Sequence, residues 1–241
     1  MTGSPTITLV EETGSTNADL AAVLRSGDGW SQGQWLVAFR QTAGRGRQGR
    51  EWFDGTGNFM GSTLVALRED DPPPASLSFV AALAVRDAAQ AALDGGSGIA
   101  LKWPNDVLLN GGKLSGILLE MVRGYIVVGI GVNLARAPQL PDRQTAALAD
   151  VIAPPAVEDF AASLAEHFAR RLAQWRAQGL SATLGQFLTA SIHAQGSPVT
   201  VHDSDGSQLA GSFAGLDESD GALRLRLADG SERVIRAGDI A

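Results

Sequence analysis

Between Ile99 and Asn133 the chain alternates short apolar runs with turn signals, and this succession of hairpins limits the fold more than any other stretch. Ile99 to Lys102, Val107 to Leu109, Leu114 to Met121 and Tyr125 to Asn133 read as successive strands, each a run of β-branched and aliphatic residues bounded by punctuation. Asn110-Gly111-Gly112 supplies one hairpin turn and Arg123-Gly124 a second, since two-residue hairpin loops favour residues that tolerate positive φ. Strands joined this tightly are sheet neighbours. Both lysines of the chain, Lys102 and Lys113, also fall in this segment, while every remaining Lys-or-Arg position is Arg. An ammonium is a compact point charge, unlike the fixed guanidinium fork, so a chain that otherwise uses Arg marks these two positions as specialised.

The flanking sequence mixes helices with further strands. Ser15-Thr16-Asn17 is a capping signal before Ala18 to Leu24, and Gly27 ends that helix. Trp35 to Phe39 and Asn58 to Leu67 read as strands; after the break at Asp70-Asp71-Pro72-Pro73-Pro74, Ala75 to Leu93 reads as a helix. Pro154-Pro155 introduces helical stretches from Val157 to Gln178 and Ala182 to His193. From Ser197 the texture changes to short strands, Val199 to Val201, Leu209 to Phe213, Leu223 to Leu227 and Arg233 to Ile235, with turns at Asp205-Gly206, Asp220-Gly221 and Asp229-Gly230. The pattern predicts a large α+β domain over residues 1–195 and a small β-barrel over 196–241.

Composition excludes several functions. With 241 residues and a net charge of -7, the chain is long enough for a sizeable core and too acidic for an ordinary nucleic-acid binder. Zero Cys removes disulfides and thiolate metal sites, and His167, His193 and His202 lack ligand spacing. No signal-like start and no membrane-length apolar run is present, so a cytoplasmic protein without membrane contact is expected.

Gly44-Arg45-Gly46-Arg47-Gln48-Gly49-Arg50 combines backbone freedom with forked donors suited to phosphate and carboxylate. It reads either as a mobile anion-binding loop or as a solvated Arg-Gly segment. The G-x-G-x-x-G embedded there is no dinucleotide fingerprint, because Arg50 to Gly57 cannot open the required helix. Gly29-Trp30-Ser31-Gln32-Gly33 matches a nucleophile elbow only in letters, since a helix precedes it and a strand follows. In the lysine segment, Lys102 and Asn105-Asp106 sit at a strand end, and Lys113 opens the next strand. Plain alternation puts Ser115 on the face of Lys113 and Gly116 on the other. Interior glycines in Gly129-Ile130-Gly131-Val132-Asn133 imply that something approaches that strand closely.

Taken in order, Gly14-Ser15-Thr16-Asn17, Gln41 to Arg50 with Trp52, Lys102-Trp103-Pro104-Asn105-Asp106, Gly112 to Glu120, and Gly129 to Leu134 resemble the biotin protein ligases from about Thr13 to the C-terminus. The resemblance implies a class II synthetase-like mixed sheet with flanking helices and an SH3-like C-terminal domain. It implies ATP-dependent activation of biotin to biotinyl-5'-AMP and transfer to a lysine of a biotin carboxyl carrier protein, with Mg2+ accompanying the nucleotide and no metal held by protein alone. By matching positions, Ser15, Thr16, Asn17, Gln41, Gly44, Arg45, Gly46, Arg47, Lys113 and Gly116 would bind biotin. Arg47, Arg50, Trp52, Lys102, Asn105 and Asn133 would take ATP, Lys113, Arg45 and Arg47 would be catalytic, and Asp106 would orient a cation or the acceptor lysine. Few residues precede Gly14, so the operator-binding domain of some relatives is not expected. The strand around Phe59 to Thr63 departs from the family pattern, and homodimerisation, seen in relatives, is left open. A lipoate or octanoate transferase of the same fold and a noncatalytic nucleic-acid binder are the competing readings.

Overall fold

The structure, a computed structural model, describes residues 5–27, 29–96, 98–141, 143–203 and 207–240. Seven strands form one mixed sheet: β1 (Thr6–Thr13), β2 (Gln34–Gln41), β3 (Phe59–Ala66), β4 (Ile99–Lys102), β5 (Asp106–Leu109), β6 (Gly112–Val122) and β7 (Tyr125–Val132). Their order is β1-β2-β3-β7-β6-β5-β4. β1 runs parallel to β2 across helix α1 (Thr16–Ser26), and the remaining pairs are antiparallel. The two hairpin turns close where the sequence places them: Asn110 and Gly111 have φ of 49° and 86°, Arg123 and Gly124 of 49° and 79°. Strand β1, unmarked in the sequence reading, is a half-exposed edge whose alternation is masked by Thr and Glu.

Alternate residues of the central strands feed two cores. Leu36, Leu64 and Val127 point to α1, where Leu20 and Ala21 cover them. Their neighbours Trp35, Val37, Val65, Ile126 and Val128 point to the opposite face and the larger core. That face is covered by α2 (Leu77–Ala92) and α3 (Val157–Thr189). The two helices expected after Pro155 form this one element, broken at Gly179, whose φ of 78° and ψ of -176° are not helical.

A second, antiparallel sheet follows, β8 (Pro198–Asp203), β9 (Gln208–Leu216), β10 (Leu223–Arg226), β11 (Glu232–Ile235) and β12 (Gly238–Ile240), in the order β11-β10-β9-β8-β12. The expected turn at Asp205-Gly206 lies outside the described residues; Gly221 and Gly230 adopt positive φ as expected. The small sheet shares the larger core through Val199, Phe213 and Leu223. Trp103 Nε1 donates to the Gly221 carbonyl at 3.1 Å, tying the lysine segment to the small sheet. No described helix is long and apolar enough to cross a membrane.

Candidate active site

Because α1 covers only part of its sheet face, a cleft of about 790 Å3 remains over the rest, floored by β3, β6 and β7. One wall is neutral and polar. The backbone N–H of Thr16 donates to Gln41 Oε1 at 2.7 Å, and the Thr16 hydroxyl lies 3.1 Å from the same oxygen and 2.7 Å from Ser62 Oγ. Ser62 donates to Asn17 Oδ1 at 2.6 Å, and Asn17 Nδ2 donates to Glu120 at 2.7 Å. With its oxygen committed to Thr16, Gln41 keeps its amide N–H2 beside Gly44, where a methyl group would stand 3.2 Å from Nε2. Ser15 occupies the N-cap of α1 as the sequence suggested, but its side chain makes no capping bond. It is buried and lines the cleft.

The opposite wall is cationic. Arg45 to Glu51 folds back as a tight hairpin: Gly46 N–H donates to the Arg50 carbonyl at 2.7 Å and Trp52 N–H to the Gly44 carbonyl at 3.0 Å. Its tip needs the left-handed region, with Gln48 at φ 57° and Gly49 at 71°. Arg47 donates to Asn105 Oδ1 at 2.9 Å and lies 3.2 Å from Asp239 Oδ1. Arg50 pairs with Asp239 Oδ2 at 2.5 Å, and Lys113 with Asp106 at 2.6 Å.

Simple alternation fails at Lys113. The register of β5 against β6 slips between Val107, opposite Ser115, and Leu108, opposite Lys113, a bulge that inserts Leu114 as an extra residue and reverses which neighbours share a face. Lys113 therefore joins Gly116: a methyl at Gly116 would lie 3.6 Å from Nζ. Ser115 turns away, fully buried.

The interior glycines of β7 are covered by side chains. A methyl at Gly129 would meet Asn17 Oδ1 at 2.2 Å, and one at Gly131 would meet Trp52 Cε2 at 2.2 Å; the same indole lies over Gly116. Trp52 Nε1 is buried with no partner among the described residues.

Of the residues singled out from sequence, Ser15, Thr16, Asn17, Gln41, Gly44, Arg45, Gly46, Arg47, Arg50, Trp52, Asn105, Asp106, Lys113, Gly116 and Asn133 all border the cleft. Lys102 does not; it is partly buried behind β5, where burial pushes its pKa down against the pull of Asp106. Asn133 spends its amide on structure, donating to the carbonyls of Lys113 and Ala146 at 3.3 and 3.1 Å. Ser62, Pro138, Leu140, Arg143, Thr145 and Asp239 also line the cleft and were not singled out: Ser62 lies on a strand read from the sequence but outside the matching motifs, and for the others a loop and a three-residue strand leave no periodicity to read.

Residues 11–135 match the biotin/lipoate A/B protein ligase family, and residues 195–241 match the biotin protein ligase C terminal domain. The chain belongs to the biotin/lipoate A/B protein ligase family. Within it, the biotin acetyl-CoA-carboxylase ligase of Paracoccus denitrificans is 38% identical, the match covering 96% of this chain and 98% of that protein. The enzyme of the same name from Mycobacterium tuberculosis (strain ATCC 25618 / H37Rv) is 37% identical over 96% of this chain and 87% of its own length. Among solved structures, the biotin protein ligase from Aquifex aeolicus in complex with biotin and ATP superposes with a TM-score of 0.83 at 24% identity, covering 98% of this chain and 97% of the other, which establishes the shared fold. The mixed sheet with flanking helices and the C-terminal antiparallel sheet are thus the architecture of these ligases, and this family member is a ligase.

Proposed function

We infer that this ligase activates biotin with ATP to biotinyl-5'-AMP, releasing pyrophosphate, and then transfers biotin to a lysine of a biotin carboxyl carrier protein, that of acetyl-CoA carboxylase or a related carboxylase. The observation that supports it is the pairing of the two walls. A urea ring offers one carbonyl acceptor and two N–H donors; the cleft offers the Gln41 amide N–H2 on one side and the Thr16 and Ser62 oxygens on the other. Ser15 completes this end, and Asn17 acts through Ser62 because its own amide is already bonded.

At the cationic end, Arg45, Arg47 and Lys113 would take the biotin carboxylate and the α-phosphate. Gly44 and Gly46 would let the ligand approach the backbone, and Gly116 would do so once the Trp52 indole that lies over it moves aside. The carboxylate oxygen attacks the α-phosphorus and pyrophosphate leaves; the charge that builds on the phosphoryl oxygens is what Lys113 and Arg47 are positioned to stabilise. Arg50, Asn105 and Trp52 would face the nucleotide, with Lys102 contributing field from behind and Asn133 bracing the loop after β7. In the second step the neutral amine of the carrier lysine attacks the mixed anhydride carbonyl and AMP leaves, so no enzyme nucleophile is required. Asp106 would orient the incoming amine once Lys113 has turned to the phosphate. Mg2+ would supply charge neutralisation on the phosphates; among the described residues no three-ligand cluster exists, so the nucleotide itself, with Asp106 or Asp239 alongside, would hold it. We place the reaction in the cytoplasm. If two copies associate, β1 is the open edge of the large sheet, because β4 is covered by hydrogen bonds to Ala190 and Ile192.

The test is incubation with ATP, labelled biotin and a carrier domain. Label on one carrier lysine, with pyrophosphate released, is expected; transfer of lipoate or octanoate in place of biotin would overturn the reading.

A further inference from the structure

Glu120 lies on β6 beyond the cleft and is exposed to solvent, yet it ends a chain of buried polar groups that reaches the urea-binding wall. We propose that Glu120 is a positioning residue that sets the direction of every hydrogen bond in that chain and so makes the wall an acceptor of N–H groups; this rests on the biotin reading above.

A carboxylate accepts hydrogen bonds and donates none. Asn17 must therefore turn its N–H2 to Glu120, at 2.7 Å, which leaves Oδ1 facing Ser62. The Ser62 hydroxyl, fully buried, then gives its single hydrogen to Asn17 at 2.6 Å. Its oxygen in turn receives the Thr16 hydroxyl at 2.7 Å, a contact whose direction geometry alone leaves open. The Thr16 hydrogen is thereby drawn away from Gln41 Oε1, the weaker contact at 3.1 Å. Both hydroxyl oxygens are left with lone pairs for the cleft and no hydrogen. A ring with N–H donors fits this arrangement, and a ligand without them leaves buried acceptors unpaired, which is costly. Gly129 belongs to the device: any side chain there would strike Asn17 Oδ1.

Reversing the charge at the end of the chain reverses the chain. In Glu120→Lys the new ammonium demands Asn17 Oδ1, the amide turns, Ser62 becomes the acceptor from Asn17, and its hydrogen passes to Thr16 or the cleft. The expected result is a rise of about tenfold in the biotin KM, with ATP KM, kcat at saturating biotin and the unfolding midpoint close to wild type. Glu120→Gln, whose carbonyl still accepts from Asn17, should stay within about threefold. The decisive variant is Glu120→Lys combined with Asn17→Asp. A carboxylate at position 17 accepts from both the ammonium and Ser62, so biotin KM should fall back toward wild type. An unchanged biotin KM in Glu120→Lys, a parallel rise in ATP KM, or no recovery in the double variant would overturn the relay. Wild-type protein that forms no biotinyl-5'-AMP would overturn the biotin reading instead, so the two failures are distinct.

Discussion

Asp239, in the last strand of the small sheet, holds Arg50 of the Arg-Gly hairpin at 2.5 Å with one oxygen and lies 3.2 Å from Arg47 with the other, across nearly the whole length of the chain. The carboxylate occupies the guanidinium forks that would otherwise face a phosphate, and Arg47 donates to the neighbouring Gly238 carbonyl at 3.3 Å as well. The small sheet thus fixes a loop that belongs to the catalytic sheet. Replacing Asp239 by Ala should release the hairpin, and trypsin should then cut after Arg45, Arg47 or Arg50 several times faster than in wild type. Equal cleavage rates would mean that the hairpin holds its shape without Asp239.

The same pair gives a pH dependence. Burial by itself would raise the Asp239 carboxyl, but the hydrogen bond and charge of Arg50, with Arg47, outweigh it and hold the group below its ordinary value. A folded-state pKa below the unfolded one adds stability at every pH above the unfolded value and loses it as pH falls through the folded value. Wild type should therefore exceed Asp239→Asn in urea midpoint by a constant amount above about pH 5, and the difference should vanish in stronger acid.

Lys113 is the ammonium aimed into the cleft, and Asp106 keeps it there at 2.6 Å. Lys113→Ala should lower pyrophosphate release from biotin and ATP by about a hundredfold or more, the usual effect of removing a donor that meets charge formed in the transition state. Near-normal pyrophosphate release would remove Lys113 from the chemistry.

Arg47→Gly should act on retention. Its bonds to Asn105 and Asp239 close one side of the cleft, so the variant should make adenylate more slowly, with Lys113 still in place, and let it escape, labelling bystander proteins. Labelling confined to the carrier would refute that role.

Gly131→Ala tests the floor. A methyl 2.2 Å from Trp52 Cε2 forces the indole to move; overpacking of this kind costs about 1–3 kcal/mol. Both the unfolding midpoint and biotin affinity should drop, as read by denaturant titration and calorimetry.

Much of the fold was legible in local sequence. The hairpins around Asn110-Gly111 and Arg123-Gly124 announce themselves through residues that tolerate positive φ, and the core helices through their apolar period. β1 and β12 escaped, one as an exposed edge and the other for being only three residues long. In the site, the residues named from motifs lie around one cleft except Lys102, while Ser62 stands on a legible strand outside the motifs and Asp239 on a strand too short to read.

The sequence by itself determined the element types, the turns and the chemical character of the two walls, since these follow from backbone preferences and from which side chains carry charge. Only the tertiary structure decided direction and pairing. A one-residue bulge at Leu114 put Lys113 on the face of Gly116, because side chains alternate with period two and one extra residue inverts the count. Contacts between residues far apart in the chain made Asp239 the partner of the Arg-Gly hairpin and Glu120 the end of the Thr16 relay. No periodicity encodes such contacts; the first exists once the two sheets share a core, the second once α1 packs on its own face of the large sheet.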